Sequence, residues 1–226
     1  MLRWIYKRLY RTFGKRHWWP AKSTVEVVVG AILTQNTAWS NVEKAIQSLE
    51  KKKFLTAERL YCLKTKNLAE AIRPSGFFNV KAKRIKNFLS YLFRRWEGNL
   101  ETMFLHPTGP LRKELLAIDG LGEETVDSIL LYAGGKPVFV VDAYTRRVLS
   151  RHGLLRGDER YEEIQDYFVD TLPHNTPLFN EYHALLVEVG KRYCRKTPLC
   201  ASCPLDPLPR TKKGCRNFIS AMEKKR

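Results

Sequence analysis

The chain has no apolar run able to cross a membrane. The longest, Val27 to Leu33, falls far short of the ~20 residues a helical span requires. Its basic N-terminal segment is not followed by an apolar core and a small-residue cleavage site, so an intracellular protein is expected. Low-complexity stretches and internal repeats are absent as well. Acid is missing from two long stretches: residues 1–25 and 71–96 each carry seven Lys or Arg and no Asp or Glu. Cysteine is scarce outside one cluster. A chain of 226 residues buries roughly 70% of its unfolded surface and needs no disulfides to hold a core.

What is abundant is positive charge. Forty Lys and Arg against 23 Asp and Glu give a formal net charge of +17, in a chain that is 44% hydrophobic and 12% aromatic. That content excludes a disordered basic tail. A folded protein with this surplus meets a polyanion, and nucleic acid is the first candidate. The acids gather at 158–170 instead, which favours one positive face over an even shell.

Helical periodicity dominates. Ile85, Phe88, Leu89, Leu92 and Phe93 form one apolar stripe, and Tyr182, Leu185, Leu186, Val189 and Tyr193 a second. Val42, Ile46 and Leu49 mark a third stripe, and Tyr161, Ile164 and Phe168 a fourth. Two β-branched segments, Val25 to Ile32 and Pro137 to Val141, read locally as strands.

Three constellations carry chemistry. Cys194, Cys200, Cys203 and Cys215 have the spacing C-x5-C-x2-C-x11-C, with a tight central pair stiffened by Pro198 and Pro204. This is a metal-site pattern open to zinc or a [4Fe–4S] cluster. Cys62 stands apart and is expected in the core. The segment LLAIDGLGEETVDSIL (115–130) reads as a helix, a tight turn at Gly120 and Gly122, and a second helix. The glycines are expected to meet φ > 0 or close backbone approach. The free N–H groups of the second helix could hold a phosphate. Finally, PVFVVD (137–142) delivers Asp142 directly before a helix over Ala143–Ser150. Asp142 suits a helix N-cap, and equally a carboxylate that steadies an oxocarbenium-like sugar and orients water.

Hairpin, VVDAYTRRV and cysteine cluster, in this order, resemble the endonuclease III superfamily of DNA glycosylases, with its helix–hairpin–helix, Gly/Pro-rich loop and Asp. The likeness runs from about residue 18 to Cys215. It implies an all-α, two-lobed fold, with the lesion base flipped into the cleft between lobes. A six-helix barrel would cover 24–135, including the hairpin at about 111–130. A second lobe would join 1–23 to 136–193, followed by an iron–sulfur loop at 194–215 and a basic tail at 216–226. It also implies that Val25–Leu33 is a buried helix and that the cysteines hold a [4Fe–4S] cluster in preference to zinc. The family's spacing is C-x6-C-x2-C-x5-C, which leaves Cys215 the least typical ligand.

Bifunctional members carry a lysine two residues after the second hairpin glycine, where it forms a Schiff base. Glu124 stands there in this chain, and a carboxylate makes no imine. Lys113 and Lys136 are near in sequence but off the motif. A monofunctional enzyme without lyase activity is therefore expected. WWP (18–20), LTQNTAW (33–39), RPSGFFNVKAKRI (73–85) and Glu124 are similar to the 3-methyladenine DNA glycosylase III branch. That resemblance implies a base pocket of Trp18, Trp19 and Trp39, a gap-filling Gln35, and DNA contacts from Gly120, Leu121, Gly122 and Thr125. The expected protein is a monomeric, cytoplasmic, nucleoid-associated enzyme of base excision repair. It would bind damaged double-stranded DNA and hydrolyse the glycosidic bond of N-alkylated purines, with Asp142 as the catalytic carboxylate. The alternatives are an endonuclease III-like enzyme for mismatched or oxidised pyrimidines, and a damage-binding protein without chemistry.

Overall fold

The computed structural model describes residues 1–208, so Cys215 and the basic tail lie outside the described residues. The described part is all-helical, without strands. Its helices are α1 (Leu2–Phe13), α2 (Thr24–Leu33), α3 (Trp39–Lys51), α4 (Ala57–Cys62), α5 (Thr65–Ala71), α6 (Phe78–Trp96), α7 (Leu100–Leu105), α8 (Thr108–Leu116), α9 (Glu123–Ser128), α10 (Ala143–Arg151), α11 (Tyr161–Thr171) and α12 (Thr176–Arg192). α9 runs on into a π-helical turn, Ile129–Ala133, a form enriched at functional sites. No helix among the described residues is long and apolar enough to cross a membrane.

Two compact units result, one from Trp19 to Lys136 and the other joining Met1–Trp18 to the chain from Pro137. In the first, α2 is the central rod. Every residue from Glu26 to Leu33 is buried, and a helix that is apolar all round belongs in a core. Burial there overrides the strand preference of three consecutive valines. Ser23 starts the helix by accepting the Glu26 N–H at 3.2 Å, while the Glu26 carboxylate accepts the Lys22 N–H at 2.9 Å. α6 lays Ile85, Phe88, Leu89 and Leu92 into the same core.

The second unit is built around Phe139. Its ring stacks on Phe168 at 3.7 Å and meets Phe179 and Tyr182 edge-on. Pro137 to Val141 is not a strand, and the reason is visible in its hydrogen bonds. Gln165 Nε2 donates to the Phe139 carbonyl at 2.7 Å, and the Val141 N–H donates to the Tyr161 hydroxyl at 3.2 Å. Side chains of α11 thus satisfy a buried extended backbone that would otherwise need a ladder partner. Tyr182 donates to the Leu2 carbonyl at 2.9 Å, fastening α1 to α12.

Phe139→Ala should cost roughly 3–5 kcal/mol, because the cavity would open at the centre of four rings. Denaturant unfolding of wild type and variant measures this directly, and a loss below 1 kcal/mol would contradict the packing described.

Candidate functional site

The hairpin turn joins α8 to α9. Leu121 N–H donates to the Ile118 carbonyl at 3.1 Å. Arg112 grips Asp127 in a bidentate pair at 2.7 and 3.1 Å, locking the two helices together. Gly120 has φ +90°, and a Cβ there would lie 2.4 Å from Arg84 Cγ. Gly122 differs from expectation: φ is −91° and nothing lies within 4 Å of its Cβ position. The free protein therefore demands glycine only at the first position. Leu121 and Thr125 are buried, while Glu124 is exposed in the first turn of α9, where an acid suits the helix dipole.

Gln35 follows α2 and is drawn onto this turn. Its Nε2 donates to the Gly120 carbonyl at 3.1 Å and to Thr125 Oγ1 at 2.8 Å, and its Oε1 accepts from Arg84 Nη1. Gln35, Gly120 and Thr125 are thus brought together, with Arg84 as a fourth member that sequence reasoning missed. Lys81 was missed too. It is 1% exposed, and its ammonium donates to the Leu33 carbonyl at 2.9 Å and the Ser75 carbonyl at 2.7 Å. It pins the end of α2, which leads to Gln35, to the turn before α6. The signal was available: Lys81 lies four residues before Ile85, on the buried stripe of α6. Phe77 heads that helix 70% exposed and in left-handed backbone, φ 44°, a conformation rare for a bulky residue.

Trp19 and Trp39 meet edge-to-face at 5.0 Å, and Trp19 also contacts Tyr132 at 5.2 Å. Gly30 makes room, since a Cβ there would sit 3.1 Å from the Trp19 ring. The two tryptophans, Pro20, Glu26, Glu43 and Glu50 are among the residues lining one concavity, and the Glu50 carboxylate there pairs with the Lys22 ammonium at 2.8 Å. Trp39 Nε1 donates to Glu43 at 2.8 Å. Trp18 belongs to the other unit, where the Lys191 ammonium lies 5.6 Å from its ring centre.

Asp142 caps α10, accepting the Thr145 N–H on Oδ1 at 2.7 Å. Oδ2 lies 3.6 Å from Nε2 of His183 on α12. The carboxyl is 9% exposed. Burial alone would raise its pKa, but the His183 imidazole and the Thr145 N–H outweigh burial and hold it below the usual value. Asp142 is therefore a buried anion. His183 gave no local signal in the sequence, being one histidine within an apolar stripe.

Cys194, Cys200 and Cys203 line a single concavity with Pro198. Arg151 donates to Cys194 Sγ at 3.3 Å, and Arg147 to the Cys194 carbonyl at 2.6 Å. Among the described residues no three metal-binding side chains converge on one point. Three thiols nonetheless line one hollow, with a cationic donor on one sulfur. Cys62, expected in the core, is exposed at the end of α4.

Helical units, a Gly-x-Gly hairpin and a capping aspartate after it are the features that the comparison with known families has to explain. Residues 29–174 match the HhH-GPD superfamily of base excision DNA repair proteins. The chain belongs to this superfamily, a group of DNA glycosylases. A Methanocaldococcus jannaschii protein named as a DNA repair glycosylase is 48% identical over 203 residues, covering 89% of this chain and 92% of its own. An endonuclease III bound to DNA has the same fold: TM-score 0.81, 22% identity, 96% of this chain and 97% of that one. The Helicobacter pylori (H. pylori) 3-methyladenine DNA glycosylase bound to 1,N6-ethenoadenine is 28% identical, with TM-score 0.70 over 84% of this chain and 95% of that one.

Two outcomes follow from the hairpin and its anchor. Gly120→Ala should destabilise the fold by about 1 kcal/mol or more, whereas Gly122→Ala should melt like wild type and weaken binding to duplex DNA. Equal melting of the two variants would contradict the geometry. Burial, with Arg84 nearby, lowers the Lys81 pKa from 10.5 to about 8. Between those values the unfolded chain binds the extra proton, so this residue's contribution to stability is least below pH 8 and rises toward pH 10.5. Lys81→Met should flatten that part of the stability–pH curve, and an unchanged slope would contradict the assignment.

Proposed function

We propose that this protein is a monofunctional DNA glycosylase that hydrolyses the glycosidic bond of N-alkylated purines in double-stranded DNA, working as a monomer and leaving an abasic site. The observation that carries this reading is Asp142, a carboxylate taken out of water yet kept ionised at a helix end. As the bond to the base stretches, positive charge grows on the sugar. A fixed anion stabilises that charge and orients the attacking water. The bonding electrons leave with the base. On an alkylated purine they neutralise its charge, so no strong general acid is needed.

Glu124 supports the hydrolytic route, since it cannot form the imine that a lysine would, and the Lys136 ammonium is spent on the His106 carbonyl at 3.0 Å. Trp19 and Trp39, edged by Glu26, Glu43 and Glu50, suit a cationic aromatic ring. Stacking and cation–π attraction are worth ~1–2 kcal/mol there. Gln35 would fill the gap left by the flipped base, exchanging its contacts with Gly120, Thr125 and Arg84 for contacts in the duplex. Exposed Phe77 suits insertion between base steps. Gly120, Leu121, Gly122 and Thr125 present the hairpin to the backbone. Cys194, Cys200, Cys203 and Cys215 would hold a [4Fe–4S] cluster, which when bound supplies a redox-capable crosslink closing the C-terminal loop.

Base release is the decisive test, on methylated, oxidised-pyrimidine and mismatched duplexes, with wild type and Asp142→Asn. Wild type should release methylated purines fastest and give no borohydride-trapped adduct, and Asp142→Asn should lose roughly 10²-fold or more. A trapped adduct would remove the monofunctional reading, and preference for oxidised or mismatched pyrimidines the alkylpurine reading. No release from any duplex would leave a damage-binding protein.

A further inference from the structure

A capping aspartate needs only one of its oxygens. In α10 the Thr145 N–H takes Oδ1, and rotation about the Asp side chain's terminal torsion is otherwise soft. The second oxygen is met from a different helix. We propose that His183 is a positioning residue for Asp142: its Nε2, reaching in from α12, fixes Oδ2 while α10 fixes Oδ1, so that two helices set the plane of the carboxylate. The inference rests on the reading of Asp142 as the catalytic carboxylate.

Both partners are almost out of water, His183 5% and Asp142 9% exposed. Their separation of 3.6 Å is within the range of an ion pair and longer than a hydrogen bond. In this setting a neighbouring charge is screened little. The ring sits on a helix whose residues Phe179 to Val187, apart from Asn180, are buried, so it is enclosed by protein.

The other ionisable groups of these helices are engaged elsewhere. Glu181 accepts the Arg16 N–H at 2.6 Å. Glu188 pairs with Arg16 at 3.5 Å and with Arg192. Lys191 lies over Trp18. On α10 itself Arg146 donates to the Glu159 carbonyl and Arg147 to the Cys194 carbonyl. From α11, the Tyr161 hydroxyl faces the Val141 N–H. His183 is the group that offsets burial most at Asp142, ahead of Thr145. Without it, the carboxyl would hold its proton to higher pH than in the wild type.

The test is the pH dependence of single-turnover base release by the full chain, on whichever duplex wild type processes fastest, for His183→Ala, His183→Asn and Asp142→Asn. Duplex affinity and thermal unfolding are measured alongside. His183→Ala should be slower by about tenfold at neutral pH, with its acid limb moved to higher pH and duplex affinity unchanged. His183→Asn is too short to bring its amide to the position of Nε2, which already lies 3.6 Å from Oδ2, so it should share the slowed rate and the displaced acid limb. A general loss of packing would lower the rate at every pH and leave the limb in place. If Asp142→Asn is inactive while both His183 variants keep the wild-type limb, the positioning role is wrong and the assignment of Asp142 stands. Full activity of Asp142→Asn would remove the parent reading instead. Should His183→Ala fail to fold, the limb of His183→Asn decides, and an unmoved limb overturns the proposal.

Discussion

A protein made only of helices must satisfy a carbonyl or N–H wherever a helix stops inside the core, and that requirement organises this structure. The partners are largely cationic side chains. Lys81 closes the end of α2 and the turn before α6. Lys86 gathers the carbonyls of Leu60, Tyr61 and Leu63 where α4 ends. Arg147 takes those of Gly190 and Cys194, and Arg151 those of Arg195 and Lys196, as α12 gives way to the cysteine loop. Each long side chain reaches where a neighbouring backbone cannot, and carries several donors to one place.

The basic surplus therefore has two uses that composition cannot separate. Within residues 71–96, Lys81, Arg84 and Lys86 are committed to internal acceptors. Arg73 lies against Phe78 and Arg95 against Trp96, and Lys83 makes only an exposed pairing with Asp119. The acid-free stretch is thus partly scaffold. Charges that hold carbonyls shape the loops bearing Gln35 and Phe77. Those left at the surface remain available for salt-sensitive attraction to a polyanion.

What was legible in the sequence followed from periodicity. The stripes of α3 and α11 are buried as their spacing indicated, those of α6 and α12 are buried except for half-exposed Phe93 and Tyr193 at their ends, and the Gly-x-Gly turn lies between helices. The failures have one cause. At α2 the local preference of valine lost to complete burial, and at Pro137–Val141 the partners of the extended backbone were Gln165 and Tyr161, 26 and 20 residues and one helix away. The contact of His183 with Asp142 spans 41 positions, 183 less 142, and no spacing rule reaches that far. Lys81 alone among the missed groups had a local mark, a charge on an apolar stripe.

Asp142 shows how one residue answers to both local and distant demands. As an N-cap it is legible from composition, since a short acceptor before a helix is worth about 1 kcal/mol. A cap, however, is ordinarily solvated, and this one is buried. That costs free energy unless other donors intervene, which a mere helix start would not require, as an uncharged serine does the same for α2. α10 is only nine residues long, and its other end is held as firmly, by Arg147 and Arg151 on the cysteine loop. A short helix fixed at both termini has little freedom to shift along its axis. The carboxylate at its head is consequently held in place by the whole unit, from the aromatic cluster at Phe139 to the sulfur of Cys194.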